Sequence, residues 1–142
     1  GLGFLVWNFP RALIFMGDAC SGFLGLTLGL IAIWQGSAQP ELFVAWVLLP
    51  GVFAVDATVT LLRRILRGRP FHQPHRNHAY QVAARHYASH TPVSLSVGMI
   101  NLLWLIPWSL AVALGWLPAL AGLIIAWLPL VALALKFQAG AE

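Results

Sequence analysis

The sequence predicts an all-α integral membrane protein of about four transmembrane helices, with a basic cytoplasmic loop that carries a short helix. Three observations predict it. The chain is 60% hydrophobic and only 8% charged, whereas a soluble domain averages about 25% charged residues. Its mean hydropathy is +0.82. Its apolar residues fall into long runs separated by short polar connections, with most of the arginines in one of them. So few charges cannot cover a globular surface, which excludes an ordinary soluble domain.

A spanning helix needs about 20 mostly apolar residues. Segments 21–34, 42–62, 93–114 and 117–137 are the four candidates, the first one short enough to need extension back through Ala19. Leu2–Val6, ahead of Asn8-Phe9-Pro10, is too short to span; it reads as a helix end or an extended piece. The chain opens at Gly1 inside an apolar run, without an initiator Met or a signal-peptide layout, and reads as a C-terminal fragment, residues 1–142, of one polytopic domain. Cys20 is the single cysteine, so no internal disulfide is expected. The connection 35–40 is uncharged, and Gly115–Pro118 is a tight turn with Trp116 at interface depth. Loop 63–91 holds Arg63, Arg64, Arg67, Arg69, Arg76 and Arg85. Positive charge stays cytoplasmic. That one assignment also puts Arg11, Asp18 and Lys136 inside and both uncharged turns outside. Ser21, Gly25 and Gly29 recur every four residues and give the first span a small-residue face for close helix approach. An aromatic belt accounts for most of the seven Trp.

The polar residues with chemical potential gather on the cytoplasmic side. Asp18, one of only four acids, stands at the mouth of a glycine-rich apolar helix, where a carboxylate is expensive to keep. Magnesium takes one or two carboxylates and completes its shell with water and phosphate oxygens; free N–H groups at a helix start, near Ser21, also favour phosphate. Helix capping by Asp18 is an equal alternative. Gly17, Gly22 and Gly25 are candidates for bending the backbone there. In the basic loop, Arg63, Arg64 and Arg67 need only set topology and touch anionic lipid. The stretch Arg69–Gln81 is more specific. A helix is expected from about His75 to Ser89, with His75 and His78 on one face and Tyr80 and Gln81 beside it. Imidazole and guanidinium donate well to a pyrophosphate; zinc lacks a Cys or acidic ligand nearby. His86 and His90 have no such context. Asp56, inside the second span with Thr58 and Thr60, serves either helix packing or substrate.

Two motifs resemble one family. Phe15-Met16-Gly17-Asp18-Ala19-Cys20-Ser21-Gly22-Phe23-Leu24-Gly25 is similar to the F-M-G-D-x-G-S-x-x-L-G signature of the polyprenyl-phosphate N-acetylhexosamine-1-phosphate transferases, the family 4 membrane glycosyltransferases that include the phospho-N-acetylmuramoyl-pentapeptide transferase. Asn8 fits the asparagine that precedes that signature. Pro74-His75-Arg76-Asn77-His78-Ala79-Tyr80-Gln81 resembles the family's P-D-R-x-H-x-H-H cytoplasmic loop, in the form expected of members that initiate O-antigen or capsule glycans, as does Asp56–Arg64. The resemblance implies a reaction in which undecaprenyl phosphate attacks the β-phosphate of a UDP-N-acetylhexosamine and UMP leaves. It implies Mg2+, with Mn2+ as the substitute, held by Asp18. His78 is the implied catalytic histidine, and Asn8, Arg76, His75, Ser21, Tyr80 and Gln81 are the implied substrate contacts. It further implies a multi-pass protein of the bacterial inner membrane, with its active face cytoplasmic, membrane lipid around it, no nucleic-acid partner and room for a homodimer.

The departures are specific. Cys20 replaces a family Gly, His75 an Asp, and Tyr80 and Gln81 two histidines. The family's Asp-Asp motif has no counterpart in this chain, so that half of the site is expected upstream of Gly1 and the fragment alone is expected to be inactive. Two other classes compete: a transporter or ion-binding module using Asp18 and Asp56 as intramembrane sites, and a non-catalytic scaffold whose basic loop docks a soluble partner.

Overall fold

The computed structural model describes residues 2–10, 12–68 and 78–137. Among these there is no strand. The order is α1 (Leu2–Asn8), α2 (Gly17–Ala38), α3 (Pro40–Leu48), α4 (Gly51–Leu66), α5 (Ala79–His86), α6 (Thr91–Ile100), a π-turn (Asn101–Leu105), α7 (Ile106–Ala113) and α8 (Ala119–Lys136). Three stretches are long and apolar enough to cross a membrane: α2, the continuous run Thr91–Ala113, and α8. A fourth span results if α3 and α4, bent by 76° at the break between them, are counted together.

The details correct several expectations. The first span is 22 residues long, Gly17–Ala38 rather than 21–34, because its helix begins at the glycine before Asp18. The segment before Asn8 is a short helix. The second span is not one straight helix. Pro50 has no N–H to continue the ladder, and the chain turns there at φ −80°, ψ 18° before Gly51 starts α4. The third span contains a π-turn one turn ahead of Pro107. Widening the helix there accommodates a ring that would otherwise crowd the carbonyl of Leu103. The loop helix is Ala79–His86, shorter at both ends than expected: His78 is its extended N-cap and not a residue on its face.

The core lies where α3, α4, α7 and α8 meet, around Leu48, Val55, Leu105, Val112, Ala126 and Leu130. Between membrane helices the packing is set by close approach rather than by water exclusion, so small residues concentrate at the contacts. Ala126 is fully buried and Ala134 nearly so, and a Cβ on Gly122 would collide with Val112 Cγ2. The Ser109 hydroxyl donates to the Ala45 carbonyl at 2.8 Å and locks α7 to α3. By contrast α2 packs on α3 and little else, with Ala32 its one buried residue. Its close approach is made at Gly36, where an added Cβ would lie 2.5 Å from Phe43 Cβ. The expected small-residue face has no neighbour among the described residues: nothing lies within 4 Å of a Cβ added at Gly25 or Gly29. The Trp residues divide. Trp7, Trp34 and Trp116 are well exposed, as a belt requires. Trp104 donates to the Ala126 carbonyl at 3.1 Å and meets Trp108 edge to face. Trp46 donates to Gln35 at 2.6 Å, and Trp127 packs over Gly51; these four Trp residues tie helices together instead of marking an interface.

Candidate functional site

The first group of site residues is built on the turn into α2. Gly17 has φ +70°, the left-handed region that a side chain rarely adopts. It lets the chain swing into the helix with Asp18 in the first turn. Asp18 is exposed. Met16 occupies the N-cap position and no side-chain cap bond is formed there, so the capping alternative for Asp18 is not what the structure contains. The Ser21 hydroxyl donates to the Asp18 carbonyl at 3.2 Å, one turn back along the helix. Asn8 shapes the approach: its Oδ1 accepts from the N–H groups of Leu13 and Ile14, each at 2.9 Å. The asparagine therefore holds the loop that delivers Asp18, and only its amide nitrogen is left over for a ligand. Gly22 and Gly25 lie inside regular helix and bend nothing. Cys20 is helical too, with no left-handed φ, so a Gly is not required at its place.

The second group is built on α4 and α5. Asp56, Thr60 and Arg64 follow one another at a spacing of four and form a buried polar stripe, 8%, 0% and 5% exposed. Arg64 is thus not a lipid-facing topology residue, and Thr58, which is exposed, does not join the stripe. Asp56 Oδ1 accepts from the Ala79 N–H at 2.8 Å and from the Thr60 hydroxyl at 3.3 Å. It also stands 3.7 Å from His78 Nδ1. The His78 N–H donates to Gln81 Oε1 at 3.3 Å, which gives Gln81 a place in the helix start. Tyr80 is half exposed and stacks on His78, ring centroids 5.9 Å apart. His75 and Arg76, with Arg11, lie outside the described residues. His86 meets Tyr87 edge to face at 5.1 Å.

Asp56, Tyr80 and Tyr87 border a cavity of about 480 Å³ between α4, α5, α6 and α8, whose lining is otherwise mostly apolar and includes Val93, Ile100 and Leu133. The loop ahead of Asp18 reaches the same end of the bundle: the Thr91 hydroxyl, at the start of α6, donates to the Pro10 carbonyl at 3.4 Å. Arg64's place in the stripe with Asp56 and Thr60, and the cavity-lining Tyr87, were not singled out from sequence, although the spacing of four was visible there. Among the described residues no three His, Cys, Asp or Glu lie close enough to hold a metal ion by themselves. The donor set fits only a cation that shares its shell between Asp18 and the oxygens of a ligand.

Residues 1–36, which carry the Asn8 loop and the Asp18 turn, match the model of glycosyl transferase family 4. Among curated proteins, the chain is 33% identical over 105 residues to a probable undecaprenyl-phosphate N-acetylglucosaminyl 1-phosphate transferase of Bacillus subtilis (strain 168), covering 72% of this chain and 29% of that protein. These likenesses support glycosyl transferase family 4 at partial coverage. The chain is also 35% identical over 81 residues to a phospho-N-acetylmuramoyl-pentapeptide-transferase of Maricaulis maris (strain MCS10), covering 51% and 21% of the two chains. A phospho-N-acetylmuramoyl-pentapeptide-transferase of Ruegeria sp. (strain TM1040) is 44% identical over 63 residues, covering 44% and 16%. The chain thus spans less than a third of each of these relatives. No solved structure matches it.

Proposed function

We propose that this chain is part of a family 4 transferase that moves an N-acetylhexosamine-1-phosphate from a UDP-sugar to undecaprenyl phosphate at the cytoplasmic face of a bacterial inner membrane. The observation that carries the reading is the Asp18 turn: an exposed carboxylate, free of any capping duty, held at the start of a membrane helix by a left-handed glycine, inside the stretch that matches the family.

A carrier-phosphate oxygen forms the new bond to the β-phosphorus of the donor. The bond to the bridging oxygen breaks, and UMP departs with the electron pair. Asp18 would hold Mg2+, which when bound offsets the charge of the pyrophosphate. Asn8 keeps the Asp18 loop in register. His78 sits at the start of α5 with Tyr80 against its ring, placed to donate to phosphate oxygens, and Arg76 would add a bidentate donor. Ser21 and Gln81 are the remaining polar groups for the sugar and nucleotide. The choice of sugar, the O-antigen or capsule pathway and a homodimeric state belong to this proposal as well.

The experiment is UMP release by the full-length protein in membranes, measured across a panel of UDP-N-acetylhexosamines with undecaprenyl phosphate and Mg2+. We expect turnover with one of them, and a loss of about 100-fold or more for Asp18→Asn, since a neutral amide replaces the charge that holds the cation. Undiminished turnover by Asp18→Asn would remove Asp18 from the reaction. Unchanged glycan initiation in cells carrying both Asp18→Asn and His78→Ala would favour the scaffold reading instead.

A further inference from the structure

We propose that Asp56 is a positioning residue for His78, acting through the first backbone N–H of α5; the inference rests on the function proposed above for His78. Helix α5 has eight residues and cannot hold itself in place: a helix this short is marginal without tertiary contacts. Its first N–H groups have no partner within the helix. One of them, on Ala79, is satisfied from 23 residues away by Asp56 Oδ1 at 2.8 Å. A charged acceptor on a backbone N–H makes one of the stronger hydrogen bonds available. The carboxylate is itself fixed. It is only 8% exposed, it sits on a helix that packs along α8, and it accepts the Thr60 hydroxyl one turn further on. His78 is the residue immediately before the bonded N–H, and its Nδ1 lies 3.7 Å from the same oxygen. The anchor therefore sets both where α5 begins and which edge of the imidazole faces the protein. Gln81 closes the start of the helix from the other side by accepting the His78 N–H. A bulk packing role would not need an acid here, and an acid on an ion pathway would not spend its oxygen on a backbone N–H.

Asp56→Ala, Asp56→Asn, His78→Ala and the double variant Asp56→Ala/His78→Ala, made in the full-length protein, test this. UMP release is the first readout and hydrogen exchange of the 79–82 amides the second. Asp56→Ala should lower kcat by about 10- to 100-fold with KM changed less, because a small misplacement of a reacting group is costly. It should also speed exchange at the start of α5. Asp56→Asn keeps an oxygen for the Ala79 N–H, so it should restore the protection and most of the rate. In the His78→Ala background the Asp56→Ala change should cost almost nothing further, as expected of two residues that act as one unit. Three results would overturn the proposal: kcat within twofold of the parent for Asp56→Ala, unchanged exchange at 79–82, or losses that multiply in the double variant. If the full-length parent releases no UMP with any donor, the proposed function fails, while the exchange difference still decides whether Asp56 anchors α5.

Discussion

Single residues carry much of the site, and they do it through the backbone. Asn8 spends its side-chain oxygen on two N–H groups of the loop that leads to Asp18. Asn8→Ala should cost about 1 kcal/mol of local order, the net worth of a hydrogen bond or two in a partly wet place. Faster hydrogen exchange across 13–16 would report it, and Asn8→Asp, which keeps the acceptor, should not show it. Gly17 is a different case. At φ +70° with nothing within 4 Å of an added Cβ, its constraint is purely conformational. Gly17→Ala should therefore destabilise the turn by about 1–2 kcal/mol, the cost of a left-handed L-residue. Activity should fall with it, because the swing into α2 sets the direction of Asp18. If Gly17→Ala protein matches the parent in both respects, the left-handed turn is not what orients the acid.

At the scale of elements, two kinds of glycine separate. Gly122 sits where α8 meets α7, and a Cβ there would collide with Val112. Gly122→Ala should destabilise the bundle by about 1–3 kcal/mol, the usual result of overpacking, read as a lower midpoint of unfolding in detergent. Gly25 faces open space, so Gly25→Ala should be neutral, or stabilise α2 by about 0.5–1 kcal/mol through lost chain entropy. A loss from Gly25→Ala of the size expected for Gly122→Ala would mean that another helix lies against that face in the whole protein. The broken second span is the other lesson at this scale. Its hydropathy reads as one continuous run, but Pro50 interrupts the ladder and the two pieces bend by 76°. That bend swings the second piece beside α8, and so brings the buried stripe Asp56–Thr60–Arg64 to the place where α5 needs an anchor.

For the whole molecule the bend poses a question of topology with two sharply different answers. If α3 and α4 together cross the bilayer, Ser37 and Gly68 lie on opposite sides. If they enter and leave by the same face, both lie on one side. In a Cys20→Ser background, Ser37→Cys and Gly68→Cys should react with a membrane-impermeant maleimide from opposite faces of sealed vesicles. That is the result we expect, because it alone keeps the arginines of loop 63–91 with Asp18 on the cytoplasmic side. Labelling of both from one face would make the pair re-entrant and place the two halves of the site on opposite sides of the membrane.

Composition by itself determined the membrane class, and continuous apolar runs of about 20 residues made it helical, since barrel strands would alternate. The approximate spans followed from run length; Asp18 stood out because an acid beside a membrane helix is costly, and His78 because imidazole and guanidinium in the basic loop suit a pyrophosphate. Phe15–Gly25 supplied the family resemblance, and the match over residues 1–36 bears it out. What the sequence left undecided was decided by contacts between distant residues. Whether Asp18 caps its helix depended on where the helix starts, one residue earlier than the acid. Whether Asp56 serves packing or substrate depended on an N–H 23 positions away. Which Trp residues are exposed and which join helices depended on how α3 meets α2 and how α8 meets α4 and the π-turn. Periodicity reports a residue's own helix and its preferred face; only the tertiary structure states what stands opposite that face, and in this protein that partner sets the role.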